Sequence, residues 1–163
     1  IRFFFGNPGD VPLAGDFNGD GCDTVSLYRP GEGKFYVINE LGANEGGLGP
    51  AEFAFFFGNL GDVPIAGDFD GDGVDSFGLH RTSTGLVYLR NSHTPGSADV
   101  QYVFGDAGDL IVTGDWQGDG SDTMGLLRSA EARFYLKFEH DSGPADIDFL
   151  FGDEGWIPIA GDF

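Results

Sequence analysis

The organisation of this chain follows from one acidic stretch, Asp68-Phe69-Asp70-Gly71-Asp72-Gly73-Val74-Asp75. Carboxylates at alternate positions around a Gly-Asp-Gly turn repel one another unless a positive group lies among them. The stretch recurs upstream as Asp16-Phe17-Asn18-Gly19-Asp20-Gly21-Cys22-Asp23 and downstream as Asp115-Trp116-Gln117-Gly118-Asp119-Gly120-Ser121-Asp122. Gly161-Asp162-Phe163 matches the start of a fourth copy. The chain is therefore predicted to be a repeat protein whose units are marked by acidic loops.

A Phe-Gly pair repeats with the same period as the acidic loops. The pairs begin at Phe5, Phe57, Phe104 and Phe151, at intervals of 52, 47 and 47 residues. A period near 47 is typical of four-stranded propeller blades, and also of some helical arrays. Gly or Pro interrupts every window of helical length, which argues against the helical alternative.

Four strands are predicted in each repeat, because Phe, Val, Ile and Tyr dominate segments that Gly and Pro separate. In the second repeat these strands are expected at 63–69, 76–81, 86–91 and 100–104. The predicted fold class is all-β, with four-stranded antiparallel repeats of the propeller-blade type and almost no helix. We expect one repeat array over residues 1–163, with about three blades at about 11–57, 63–104 and 111–151, and flanking strands at 1–5 and 157–163.

Composition favours a folded acidic protein. The 40% of hydrophobic residues, among them 17 Phe, is enough to bury a core in a chain of 163 residues. The formal net charge is −19, and 11 of the 20 aspartates lie in the three loops and the partial fourth copy. Such a surface repels nucleic acid and anionic lipid, so cations are the expected partner. Cys22 is the only cysteine, which excludes an intramolecular disulfide, and no segment is long enough to span a membrane.

The acidic loops match the register of a calcium-binding loop. Such loops offer oxygen side chains at positions 1, 3 and 5, a Gly at position 6 and a backbone carbonyl at position 7. An EF-hand would need a Glu at position 12, where this chain has Leu in every copy, so the closing carboxylate is predicted at position 8. A plain hairpin turn would explain only the Asn-Gly and Asp-Gly dipeptides. Magnesium and soft metals suit these ligands less well than calcium.

About three calcium sites are therefore predicted, one in each loop. The third is expected to be the weakest, because Gln117 replaces the carboxylate or Asn that stands at position 3 of the other loops. The candidate metal ligands are Asp16, Asn18, Asp20, Cys22 and Asp23 in the first loop, Asp68, Asp70, Asp72, Val74 and Asp75 in the second, and Asp115, Gln117, Asp119, Ser121 and Asp122 in the third.

These motifs resemble a known family. Phe57-Gly58, the Gly61-Asp62 turn, Ala66-Gly67-Asp68-Phe69 and the acidic loop are similar to the FG-GAP or VCBS-type repeats of bacterial extracellular proteins, the integrin alpha-chain propeller and certain propeller lectins. The resemblance covers essentially the whole chain. It implies four-stranded blades with calcium in the loop that joins the first and second strands. The family often closes this loop with a carboxylate at position 9, where this chain has Thr24, Ser76 and Thr123, so positions 8 and 9 both stay open for the last ligand.

Two other sets of residues recur in equivalent positions. Arg29, Arg81 and Arg128 follow the second strand, and we expect them to pair with acidic residues of a neighbouring repeat. His93 and His140 lie in loops of different repeats and are expected to be solvated rather than metal-binding. Catalysis is not expected of them, since no nucleophile stands beside either one. No set of residues is unique in the way an active site usually is, and no catalytic residue is predicted.

The expected function is that of a non-enzymatic extracellular or cell-surface module, stabilised by calcium, for binding or adhesion to a protein or glycan. One alternative is a structural subunit of a self-assembling surface layer or filament. Another is a sugar-binding propeller or the accessory module of a secreted hydrolase. Because propellers typically have four to eight blades, three cannot close a ring alone, and we expect self-association or membership of a larger propeller.

Overall fold

The computed structural model describes residues 3–40 and 50–161, which form three four-stranded antiparallel sheets. The first sheet contains β1 (Val11–Gly15), β2 (Thr24–Arg29), β3 (Lys34–Val37) and β4 (Phe53–Phe56). The second sheet contains β5 (Val63–Gly67), β6 (Ser76–Arg81), β7 (Leu86–Arg90) and β8 (Val100–Val103). The third sheet contains β9 (Leu110–Gly114), β10 (Thr123–Arg128), β11 (Arg133–Leu136) and β12 (Ile147–Leu150).

Helix is almost absent, as predicted. Within the described ranges the single helical element is a 3-10 turn at Ser129–Glu131, and no helix there is long and apolar enough to cross a lipid bilayer. The all-β class and the four strands of each repeat are thus confirmed.

Each sheet is a meander in which every strand pairs with the next along the chain. The last residue of each first strand pairs with the first residue of the second: Gly15 with Thr24, Gly67 with Ser76, and Gly114 with Thr123. Each acidic loop is consequently the whole connection between these two strands. The same register in all three sheets gives the loops equivalent positions.

The flanking segments differ from the predicted strands. Of the predicted strand at 1–5, only residues 3–5 are described, and Phe4 forms an isolated bridge. Residues 157–161 have no strand structure, and 162–163 lie outside the described residues. The first strand of each repeat pairs with the second strand of the same repeat, whereas residues 157–161 make no such ladder with a described strand.

The hydrophobic core lies between successive sheets. Phe77 of β6 packs against Phe35 of β3 and against Phe17, with ring centroids 4.6 Å apart in both pairs. A second cluster joins the second and third sheets, with Met124 and Leu126 of β10 packed among Val87, Leu89, Tyr102 and Phe104. Burial of these side chains is the main force that holds sheet to sheet.

The first strands of the three sheets lie side by side. β5 contacts β1 on one side and β9 on the other. Because the acidic loops follow directly from these strands, they gather at one end of the stack, where the second and third loops contact the loops before them.

Candidate metal loops

The first aspartate of each loop organises the loop backbone. The Asp68 carboxylate accepts hydrogen bonds from the backbone N–H groups of Gly71 at 2.8 Å, Asp72 at 3.1 Å and Gly73 at 2.8 Å. Gly71 and Gly73 have φ values of 72° and 84°, a region that side chains rarely adopt. Asp16 and Asp115 make the same set of bonds in their own loops. The loop shape is therefore set by local hydrogen bonds within each repeat.

These N–H donors also stabilise the negative charge of the first aspartate. Hydrogen bonds from the backbone of Gly120, Asp119 and Gly118 hold the pKa of Asp115 below its ordinary value, against the opposing effect of burial. For Asp16, burial raises the pKa, but the combined N–H donors of its loop outweigh it and the net shift is downward. Both carboxylates are consequently ionised at neutral pH.

The second loop brings three carboxylates together. One carboxylate oxygen from each of Asp68, Asp70 and Asp72 lies within 4.8 Å of the other two. The side-chain amide of Asn91 donates to Asp70 at 2.7 Å and helps to hold it in place. Asp72 accepts a hydrogen bond from the N–H of Val74 at 2.9 Å. In the described ranges this is the one cluster of three or more acidic, His or Cys side chains spaced to hold a metal ion.

This donor set fits a hard cation. Calcium is bound by oxygen atoms about 2.3–2.6 Å from the ion, so the ligands around one ion lie within ~5 Å of each other. Three oxygens cover part of the six to eight that calcium takes, which leaves room for backbone carbonyls and water. The cluster contains no sulfur or imidazole ligand that would favour a soft metal.

The first and third loops are chemically different from the second. In the first loop the Asn18 amide donates to the Asp20 carboxylate at 3.0 Å. In the third loop the Gln117 amide donates to the carbonyl of Phe138 at 3.2 Å, so this side chain is engaged at the end of its sheet. Each of these loops offers two carboxylates at positions 1, 3 and 5 where the second offers three. The acidic triad belongs to the second loop alone among the three.

The residues at position 7 form backbone hydrogen bonds within their own loops. The N–H groups of Cys22 and Ser121 donate to the aspartate at position 5 of their loops, at 2.9 and 3.1 Å. The Cys22 side chain is an exposed free thiol. Val74 makes the same bond to Asp72, and its side chain also lies against Gly19 of the first loop, where an added methyl group would come 3.0 Å from it. Its apolar side chain thus helps to pack two loops together.

The aspartates at position 8 reach across to the preceding loop. The Asp75 carboxylate accepts the backbone N–H of Asp16 at 2.7 Å, and Asp122 accepts that of Asp68 at 3.0 Å. Gly15 and Gly67 leave the space for these carboxylates, because an added Cβ would come within 2.6 Å of them. Asp23 is exposed at the same position of the first loop. Sequence reasoning treated position 8 as part of its own loop and missed this contact between repeats.

Position 8 is electrostatically unfavourable for a carboxylate. Burial raises the pKa of Asp75 to about 6, the N–H of Asp16 opposes the shift, and the charges of Asp122, Asp23 and Asp68 add to it. Burial likewise raises the pKa of Asp122. Burial and the charges of neighbouring aspartates thus both disfavour the ionised form of these two carboxylates.

The repeated arginines pair with acids, although the acid comes from a different place than predicted. Arg81 binds both oxygens of Asp62, at 2.8 and 2.9 Å, and Asp62 directly precedes the first strand of the same sheet. The guanidinium also lies over the ring of Tyr88, 4.7 Å from its centroid. The prediction that each arginine pairs with an acidic residue of a neighbouring repeat was therefore wrong. The constant spacing of 19 residues in Asp10–Arg29, Asp62–Arg81 and Asp109–Arg128 is the signal that could have identified the pairs.

The two equivalent histidines are packed against aromatic rings, and the expectation of solvated side chains was wrong. The His93 ring stacks on Phe53 and meets Phe77 edge-on, with centroids 5.6 and 5.2 Å away. Its Nε2 lies 3.0 Å from the carbonyl oxygen of Asp75, and burial lowers its pKa. His140 similarly lies 3.0 Å from the carbonyl of Phe69. Both histidines join the sheets beside the acidic loops.

Comparisons of this chain with family models, with curated proteins and with solved structures found no match.

Proposed function

We propose that this chain is a non-enzymatic calcium-stabilised repeat module that works outside the cell in binding or adhesion, and that its three sheets are propeller-type blades. The observation that carries the proposal is the cluster of Asp68, Asp70 and Asp72 in a loop whose backbone is already shaped by hydrogen bonds. A cation bound among the three carboxylates of this preorganised loop would offset their mutual repulsion.

Calcium would act on the stability of the fold. An ion that binds only the folded loops stabilises them by RT ln(1 + [L]/Kd) for each site. Extracellular calcium modules have dissociation constants of about 10⁻⁴ to 10⁻³ M, so even modest loops fill at the millimolar calcium found outside cells. The same loops would stay largely empty in the cytosol, which is why we propose an extracellular or cell-surface location.

The blade arrangement is supported by the way the sheets stack. Each sheet is a four-stranded meander, the sheets pack face to face, and the first strands β1, β5 and β9 lie side by side. In a propeller the first strands line the centre and the remaining strands extend outward. The proposed calcium loops would then all lie on one rim of the assembly.

The test is calcium binding by the Asp72→Asn variant. Asparagine keeps an oxygen that can accept the Val74 N–H and removes one charge from the triad. For a calcium site, the variant should bind calcium at least tenfold more weakly in calorimetry, and calcium should raise its melting temperature less than that of the wild type. In chelator the same variant should be as stable as the wild type or more so, because repulsion within the triad falls.

The matched control is Asp153→Asn. It removes the same charge at the position after a Phe-Gly pair, where the first two such pairs are followed by Asn7 and Asn59. This variant should bind calcium like the wild type. Equal melting temperatures of the wild type in calcium and in chelator would show that the loops need no ion, and the proposal would fail.

A second candidate function, sugar binding, is favoured by a set of clefts between repeats. A cleft of about 340 Å³ is lined by Arg81, Tyr88 and the Phe57-Gly58 pair, and the equivalent cleft of about 410 Å³ is lined by Arg128, Tyr135 and Phe104-Gly105. Aromatic rings beside hydrogen-bonding groups are suited to small polar ligands. Binding to a glycan array, and its loss in Tyr88→Ala, would favour this candidate over protein adhesion.

The layer or filament alternative is favoured by the apolar face that the third sheet exposes, since such faces promote association. Electron microscopy of the purified chain would distinguish it: an open filament or layer would support this alternative, whereas discrete particles would count against it.

A further inference from the structure

The carboxylate triad of the second loop is hydrogen-bonded to another loop of the same sheet. The side-chain amide of Asn91 donates to Oδ2 of Asp70 at 2.7 Å. Asn91 directly follows β7, and residues 91–99, which we call the β7–β8 loop, connect β7 to β8. One carboxylate of the triad is therefore held by a residue outside its own acidic loop.

The β7–β8 loop makes a second contact with the acidic loop. Nε2 of His93 lies 3.0 Å from the carbonyl oxygen of Asp75. The His93 ring is itself stacked on Phe53 of the first sheet, with centroids 5.6 Å apart. Asn91 and His93 thus attach the start of the β7–β8 loop to positions 3 and 8 of the second acidic loop.

The remainder of the β7–β8 loop is wrapped around the side chain of Arg90. The guanidinium donates to the backbone carbonyls of Thr94 and Ser97, and to the Thr94 hydroxyl at 2.9 Å. At the base of the loop, the Asp99 carboxylate accepts the backbone N–H of Asn91 at 2.9 Å. Hydrogen bonds therefore join the start, the middle and the end of the loop, so a change at Asn91 is transmitted to its middle.

The middle of the β7–β8 loop lines the cleft beside Tyr88, which we call the Tyr88 cleft. Gly96, Ser97 and Ala98 line this cleft of about 340 Å³ opposite Arg81 and Tyr88. The same short loop thus contacts the carboxylate triad at its start and shapes a ligand-sized cleft at its middle.

The third repeat lacks this connection to a carboxylate. Phe138 stands at the position of Asn91, and Gln117 stands at the position of Asp70. The Gln117 amide donates to the backbone carbonyl of Phe138 at 3.2 Å, so the two loops meet there through neutral groups. The charged link between an acidic loop and the loop after the third strand therefore belongs to the second repeat and not to the third.

From these contacts we propose that cation binding in the second acidic loop is coupled to the Tyr88 cleft through Asn91. Asn91 donates to Oδ2 of Asp70, so Oδ1 can act as a ligand. An ion that fixes the Asp70 side chain also fixes Asn91, and with it the β7–β8 loop that shapes the cleft. The coupling is reciprocal, because a loop that is already ordered favours ion binding by the same free energy. This inference rests on the calcium site proposed above.

The first test is the calcium affinity of Asn91→Ala, measured by calorimetry. Asn91 acts as a positioning residue for a ligand of the ion, and loss of such a partner should weaken calcium binding about tenfold. Ser92→Ala is the matched control. It removes the contact between the Ser92 and Thr94 hydroxyls within the β7–β8 loop but leaves the bond to Asp70. Ser92→Ala should bind calcium like the wild type.

The second test is amide hydrogen exchange of residues 91–99, followed by mass spectrometry. Calcium that saturates the second loop should slow this exchange several-fold in the wild type, because local opening of the loop becomes less favourable. The slowing should be retained in Ser92→Ala. Most of it should be lost in Asn91→Ala, even at calcium concentrations that saturate this variant. A residue that only stabilised the fold would not change the response of this loop to calcium.

The two proposals fail in different ways. Calcium binding by the wild type without slower exchange in residues 91–99 would overturn the coupling and leave the calcium site in place, and this measurement needs no variant. Slowing that Asn91→Ala retains in full would also overturn the coupling through Asn91. A wild type that does not bind calcium would overturn both proposals.

Discussion

The Asp75 carboxylate accepts the backbone N–H of Asp16 at 2.7 Å, and the Asp75 N–H donates to the Asp16 carbonyl at 2.8 Å. The same pair of contacts joins Asp122 to Asp68. Each acidic loop is thus tied to the loop before it by its last residue. The prediction that the aspartate at position 8 binds calcium is untested. The hydrogen bonds to the preceding loop give Asp75 and Asp122 a second possible role, which is to hold neighbouring repeats together.

Replacement of Asp75 separates the two roles. In chelator at pH 7, Asp75→Ala should lower the free energy of unfolding by about 1–2 kcal/mol, because the Asp16 N–H loses its partner. Asp75→Asn keeps an acceptor without the unfavourable charge and should be at least as stable as the wild type. Urea denaturation measures both effects.

Asp23→Ala is the control for this experiment, since Asp23 holds the same loop position but is exposed. This substitution should lower the free energy of unfolding by less than about 0.5 kcal/mol in chelator. If position 8 served only as a calcium ligand, Asp23→Ala and Asp75→Ala would have no cost in chelator and similar costs in calcium.

Loss of Arg81 should destabilise the second sheet strongly. The Asp62 carboxylate is buried and both of its oxygens bind Arg81, so Arg81→Ala leaves a buried charge without its cation. We expect a loss on the order of 3 kcal/mol in the free energy of unfolding, the lower end of the range for breaking a buried pair. Arg81→Lys should recover part of it, since a lysine keeps the charge but cannot bind both oxygens.

The double variant Arg81→Ala/Asp62→Ala is the internal control for the pair. Its total cost should be smaller than the sum of the two single costs, because removal of both partners leaves no buried charge. Additive costs would contradict a direct interaction.

His80 should make the fold less stable in mild acid. Its side chain is fully buried in β6, and burial lowers its pKa, while the backbone of Phe104 and the charges of Asp109 and Asp62 oppose the shift. The unfolded chain then binds the proton more tightly than the folded one, so stability is complete above about pH 6.5 and falls as the pH decreases below it. The slope for one proton is at most about 1.4 kcal/mol per pH unit.

His80→Leu should reduce this slope, because it removes the group that titrates. The fold should accept the leucine, since the third repeat has Leu127 at the same position. The reverse variant Leu127→His should steepen it. Urea denaturation between pH 5 and 8 in chelator measures both. A residual slope is expected from His93, whose pKa is also lowered by burial, but an unchanged slope in His80→Leu would contradict the prediction.

The third loop should bind calcium more strongly when Gln117 is replaced by Asp. The variant restores a carboxylate at position 3 and removes the amide that binds the Phe138 carbonyl. Terbium, a luminescent substitute for calcium, can be excited through the neighbouring Trp116. In a Trp156→Phe background the luminescence should appear at about tenfold lower terbium concentration in Gln117→Asp, a change of about 1.4 kcal/mol. Third-loop luminescence that saturates at the lowest concentration in the wild type would contradict the predicted order of sites.

The all-β class, the repeats and the loop positions could be predicted because each depends on residues close together in sequence. Alternation of apolar residues sets strands such as Phe53–Phe56, and the hydrogen bonds of Asp68 to Gly71 and Gly73 span only a few residues. The carboxylate triad follows from the same local geometry. The sequence by itself therefore determined the strands, the turns and the candidate cation cluster.

Only the tertiary structure decided how the repeats meet. Asp75 binds a backbone group 59 residues away, His93 stacks on Phe53, and Phe149 is exposed where Phe55 is buried. These outcomes depend on which sheet face covers which, and identical residues in successive repeats carry no information about that choice. A repeated pattern specifies one unit, whereas the contacts between units arise from the stacking of the sheets.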